Sequence, residues 1–232
     1  MYSGIFLMIV SNRLTSPTMI LVGLCLFFPF LADLHTPLVH GIAVKYIENI
    51  QAILLLLVAI FSFLYIRPDR CSDGKKQFWL WAIFWWVLLF GRSTSWGRDY
   101  FPEVPKVYFR TLSVVFIAPV VVMLFSSALR QEIVNKFKTV QFPMWSFALA
   151  VIALLIADSI EHSRMILPVF LHDIAYKDFM EEMYEFPVIW GLFEVTFLLM
   201  KQEKEEMKSE NQDLQSTETV DQEEYSACNN VH

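Results

Sequence analysis

Apolar positions along the chain gather into six stretches separated by short polar segments: about Pro17 to Asp33, Tyr46 to Ile66, Phe78 to Trp96, Tyr108 to Leu129, Phe142 to Glu161 and Met180 to Met200. A helix that crosses about 30 Å of hydrocarbon needs about 20 such residues, because lipid offers backbone amides no hydrogen-bonding partner. Strands of a membrane barrel would be about half as long and would alternate apolar with polar positions, whereas Ala52–Phe61 is an uninterrupted apolar run. The pattern therefore predicts an all-α integral membrane fold, a six-helix transmembrane bundle. Pro17 behind Ser16 marks a helix start. Pro29, Pro119 and Pro187 fall inside spans, where each removes an amide donor and predicts a kink.

Three regions follow: residues 1–16, an interfacial segment or an extension of the first span; residues 17–200, the membrane domain; and residues 201–232, an acidic cytoplasmic tail. Lys201 and Glu205 form an i,i+4 pair that supports helix at the tail's start. From about Asn211 the composition is too polar to bury an ordering surface, which predicts disorder.

Composition sharpens this. Of 232 residues, 56% are hydrophobic, 16% aromatic and 18% charged, with a mean hydropathy of +0.46. The net charge of −6 resides in the tail, since residues 1–200 hold 15 Lys/Arg and 15 Asp/Glu. An apolar, neutral body with an acidic tail excludes a water-soluble enzyme and a nucleic-acid binder that works through a basic face. Lys/Arg placement orients the chain. With both termini inside, 11 cations are cytoplasmic and 7 are outside, and both short inner loops are cationic. The expected location is a cell membrane, by loop shortness and charge a bacterial inner membrane. Of the three cysteines, Cys25 falls in lipid while Cys71 and Cys228 fall in the cytoplasm, so no disulfide is expected. No signal-peptide layout precedes the first span.

With this orientation, 11 carboxylates lie at the outer ends and loops, and His35, His40, His162 and His172 lie there too. Asp158, Glu161 and His162 share one helix face at an outer C-terminal end, where the helix dipole disfavours carboxylates. Arg92 falls within hydrocarbon depth, at a cost of at least about 2.5–3.5 kcal/mol unless paired or snorkelling. Arg110 opposes the dipole in the first turn of the fourth span. Glu181, Glu182 and Glu185 enter the sixth span at its favoured end, and Glu194 lies deeper. Cations and carboxylates on the wrong ends are mutually satisfied if the helices meet. The expected site is thus an outer ion-pair or binding cluster of Arg92, Arg110, Asp158, Glu161, His162, Glu181, Glu185 and Glu194, with Arg92 bridging to Asp158 or Glu185. Lys45, Glu48, Asn49 and Gln51 read as interface anchors, and the tryptophans of the third span as a lipid-facing belt and packing.

Three functions are compatible with this. The leading expectation is a multi-pass membrane protein whose outward polar pocket binds or permeates a small solute, ion or proton. The alternative is a structural or accessory subunit whose acidic tail engages a cytoplasmic protein partner. The third is a metal-dependent membrane hydrolase with Asp158, His162 and Glu185 as ligands, although the repeated Glu-x-x-His element of di-metal bundles is absent. No Gly-x-Ser-x-Gly, His-Glu-x-x-His or phosphate-binding Gly loop is present. No catalytic residue and no cofactor is assigned; the expected partners are the lipid bilayer and a protein at the tail, not nucleic acid.

Overall fold

The computed structural model describes residues 10–11, 15–31, 34, 38, 41–98, 100–164, 167–171 and 173–229. The expectations for Asp33, His35, His40 and His172 lie outside the described residues. Of the described residues, 86% are helical. Its helices are α1 (Ser16–Phe27), α2 (Ile42–Ile66), α3 (Asp73–Ser93), α4 (Lys106–Met123), α5 (Ser127–Thr139), α6 (Met144–Glu161), α7 (Leu167–Phe170) and α8 (Lys177–Asn229). Two short strands, β1 (Val10–Ser11) and β2 (Phe142–Pro143), pair in parallel and tie the segment before α1 to the start of α6.

Four segments are long and apolar enough to cross a bilayer: Ile42–Arg70, Lys106–Met123, Met144–Glu161 and Ile174–Ser209. The other two expected spans fall short for different reasons. The first is α-helical for only 12 residues and tightens into a 3₁₀ turn, Phe28–Leu31, around Pro29. At the usual rises this makes about 26 Å, slightly under the hydrocarbon thickness. The third, α3, has length enough at 21 residues, but Asp73, Lys75, Lys76, Arg92 and its tryptophans lower its hydropathy. Its indoles are not chiefly a lipid belt. Trp79 and Trp86 are buried, Trp85 is exposed, and Trp81 donates to the Val120 carbonyl at 3.2 Å.

The expected fourth span breaks at Leu124–Ser126. Ser126 has extended backbone and donates its hydroxyl to Gln77 Oε1 at 2.6 Å, and α5 starts anew with Arg130, Lys136 and Lys138 on it. The sixth span does not stop at Met200, and the disorder expected from about Asn211 is not what the structure has: α8 runs 53 residues to Asn229. At 1.5 Å per residue that is about 80 Å, well over twice the hydrocarbon thickness. Pro119 and Pro187 lie inside α4 and α8 without ending them.

Helix α8 is the axis of the assembly. It packs along α6 over a stripe of small buried residues, Ser146, Ala150, Ala153 and Ala157, spaced so that they share one face. Opposite them is Gly191, where a Cβ would lie 2.6 Å from the Ser146 carbonyl oxygen and 2.9 Å from the Ala150 Cβ. Apolar packing forms three groups along this axis. Phe28, Ile156, Ile160, Met180 and Tyr184 close one end, Leu55, Ala59, Trp86 and Ile189 the middle, and Ile66, Phe78, Trp79, Leu129 and Met200 the other end. The apolar connection between α6 and α8 folds back onto the first group, with Leu171 and Tyr176 buried and Phe170 edge-on to Tyr184. Helix α4 leans on α3 through the buried Val120, while its Val114 and Val122 are well exposed.

Candidate functional site

Four helix ends converge at one end of the bundle, the end that the Lys/Arg distribution leads one to expect outside. The start of α2 brings Glu48 and Gln51, the end of α3 brings Arg92, Ser93 and Ser95, the end of α6 brings Glu161, and the start of α8 brings Glu181, Glu182 and Glu185. Between them is a cleft of about 390 Å³, walled further in by Leu55, Leu89, Leu154, Val188, Ile189 and Leu192. Its residues follow helical spacing: Glu48, Gln51 and Leu55 form one stripe, Glu182, Glu185, Ile189 and Leu192 another.

Gln51 is fully buried, and its amide donates to the Glu182 carbonyl at 2.7 Å. That contact ties α2 to the first turns of α8. The side-chain oxygens Gln51 Oε1 and Glu182 Oε2 are both buried and accept no hydrogen bond from the described residues. Arg92 is exposed at the rim and lines the cleft with Glu185 without closing a direct ion pair among the described residues.

The expected cluster is thus divided. Arg92, Glu161, Glu181 and Glu185 come together in the cleft; the Arg92–Asp158 bridge does not form. Asp158 is held instead by Arg164, at 2.9 Å, and by His162 Nδ1, at 3.3 Å, on the outer surface of the same helix end. The His162 ring also lies 3.8 Å from Glu161. Asp158, Glu161 and His162 are grouped closely enough to share an ion, but Glu185, expected as the third ligand, belongs to the cleft and not to this group. Arg110 is exposed on α4 and makes no ion pair among the described residues.

Glu194 belongs to the opposite end. Its carboxylate accepts from Thr15 Oγ1 at 2.5 Å and from Thr18 Oγ1 at 2.7 Å, and the Thr18 hydroxyl also contacts Ser146 Oγ at 3.2 Å. Thr15 caps α1 by accepting from the Thr18 amide, so Glu194 sits at the positive end of the α1 dipole. Thr18→Val keeps the shape and removes one donor from this set. The expected cost is about 1 kcal/mol, within the range for interhelical polar contacts in membranes. Thermal or SDS unfolding of the purified protein measures it, and an unchanged midpoint would show that the Thr18 hydroxyl carries no net stability.

Also at that end is an ion network that the sequence pattern did not reveal. Glu203 has 0% exposure and accepts from Lys136 Nζ at 2.7 Å and Trp79 Nε1 at 3.0 Å, with Lys75 Nζ 3.1 Å away. Glu206 contacts the same two lysines at 3.4 and 3.7 Å, and Glu132 lies 3.7 Å from Lys136. Lys204 covers the Tyr65 ring at 4.0 Å. In sequence these are loop cations and tail acids. They meet only because α5 folds back and α8 continues straight past the apolar stretch.

A larger hollow of about 700 Å³ lies between α2, α3 and α4, lined by Ile53, Leu56, Val87, Phe90, Trp96 and Phe116 among others, with no charged side chain. It is less suited to polar chemistry than the cleft, which joins carboxylates to an apolar wall. The chain matches no protein-family model, no curated protein and no solved structure.

Proposed function

We propose that the chain is a multi-pass protein of a bacterial inner membrane, six helices with both termini inside, whose outward cleft binds a small solute or ion. One observation carries this reading: five glutamates from three helices, one arginine and a buried glutamine converge on a cavity of about 390 Å³. Such a size is within the range of small-molecule sites, and ionisable groups held at membrane depth are costly without a function. Binding is favoured over permeation, because the middle of the bundle below the cleft is filled by Leu55, Ala59, Trp86 and Ile189. Glu194, the candidate for an inward path, is already engaged at the other end.

The two spans that hydropathy alone undervalues are included because α1 covers Glu194 and α3 supplies one wall of the cleft. The accessory reading keeps one supporting observation, the extension of α8 beyond the Glu203 network, which offers a helical surface to a cytoplasmic protein.

Labelling tests the proposal. In a variant with Cys25, Cys71 and Cys228 replaced by alanine, Val188→Cys in the cleft is expected to react with a membrane-impermeant maleimide added to intact cells. Phe137→Cys on α5 is expected to react only after the cells are broken. Labelling of Phe137→Cys from outside, or none of Val188→Cys, overturns the reading.

A further inference from the structure

Resting on that reading, we propose that the ligand of the cleft is a small organic ammonium with an apolar stem, its head held against Gln51 and Glu182 and its stem lying deeper along the apolar wall. Gln51 is fully buried, yet its Oε1 accepts no hydrogen bond from the described residues, and the neighbouring Glu182 Oε2 is buried in the same condition. Both atoms are acceptors. A buried acceptor without a donor costs free energy, so whatever completes this site brings N–H or O–H groups to both.

The surrounding charge selects among donors. Glu48, Glu161, Glu181 and Glu185 line the same cavity, and the one cation lining it, Arg92, is exposed at the rim. A neutral donor would satisfy the two orphan oxygens and leave this excess of carboxylates untouched. An ammonium supplies three donors and the opposite charge together, and charge-assisted hydrogen bonds are about twice as strong as neutral ones.

The remainder of the cavity argues for the stem. Leu55, Leu89, Leu154, Val188, Ile189 and Leu192 form the other part of its lining. A proton on Glu182 would supply the pair with a donor, and a divalent metal ion would use the carboxylates, but neither occupies an apolar wall. A small alkyl- or arylalkylamine uses both halves, because its stem leaves water for the apolar wall while its head meets the carboxylates.

Isothermal titration of the purified full-length protein with phenethylamine and with phenethyl alcohol tests this, since the two share a stem and differ in the head. The amine is expected to bind at least about tenfold more tightly than the alcohol, and Glu182→Gln and Gln51→Leu are each expected to weaken it by about tenfold. Glu205→Gln, an exposed position at the opposite end, is expected to leave the affinity unchanged. Because Gln51→Leu also removes a helix–helix hydrogen bond, Glu185→Gln serves as a second variant that leaves this contact in place, and the amine is again expected to weaken. Equal binding of amine and alcohol, no binding of the amine, or binding of Mg²⁺ that excludes the amine overturns the proposal. Where Val188→Cys still labels from outside, such a result removes the ammonium ligand and leaves the cleft; where it does not label, the cleft falls as well.

Discussion

Glu203→Gln is expected to lower the unfolding free energy by about 3 kcal/mol, the lower part of the range for breaking one side of a buried ion pair. Glu203 has no exposed surface and Lys136 is 4% exposed. The substitution keeps the volume and a hydrogen-bond acceptor for Trp79 but removes the charge that both lysine ammoniums face. The lower part of the range applies because Glu206 and Glu132 remain near Lys136, and Lys75 and Glu206 reach solvent. Lys136→Met should cost a similar amount. The double variant should lose less than the two single losses together, because removing the second partner relieves the first of its orphaned neighbour. SDS or heat unfolding of the four proteins measures the cycle. Strict additivity would mean that Glu203 and Lys136 do not interact energetically. The cost should also change little with ionic strength, since salt screens buried pairs weakly.

Gly191→Leu is the second large effect, and it acts on packing rather than charge. An added Cβ alone would meet the Ser146 carbonyl oxygen at 2.6 Å and the Ala150 Cβ at 2.9 Å, and neither neighbour is the end of a flexible side chain. The leucine must force α6 and α8 apart, opening the stripe from Ser146 to Ala157. Overpacking of this kind costs about 1–3 kcal/mol in ordinary cores and more where backbone must move. Loss of most folded protein from the membrane is therefore expected for leucine, and a smaller drop of the unfolding midpoint for alanine. A Gly191→Leu protein that accumulates and melts as the parent does would contradict the close approach of these helices. Compensation by a smaller partner is not on offer, since the group in the way is the α6 backbone itself.

Both predictions concern contacts between helices, and this marks the limit of what the pattern of residues conveys. Hydropathy and length alone identified the helical character of the chain, because lipid leaves backbone groups no alternative to internal hydrogen bonds. The boundaries of α2 and α6 follow closely from their apolar runs. Where other forces compete, the boundaries shift. Ser126 and the polar stretch after it begin a separate helix, α5, and α8 does not end where its apolar run ends, because helix ends with loss of amide bonding and not with loss of hydrophobicity.

The candidate site was legible in part. Sidedness of charge pointed to the outer ends, and helical spacing put Glu181, Glu182 and Glu185 on neighbouring turns. Glu48 and Gln51 were readable as a stripe leading into α2, yet nothing local shows that this stripe faces α8. Asp158 shows the converse: its pairing with Arg164 is a short-range contact at the end of the same helix, which displaced the longer-range bridge to Arg92.

What the sequence determined by itself is the helical class, the solvent each segment prefers and the end at which carboxylates accumulate, since these depend on one residue's neighbours along the chain and on the medium. Only the tertiary structure decided which charges meet: Glu203 with Lys75 and Lys136, Glu194 with the α1 hydroxyls, Gln51 with Glu182. Rotation of one helix against another is set by side-chain fit, such as Gly191 against Ser146, and hydrogen bonds and close ion pairs form only between groups that this fit brings to contact distance.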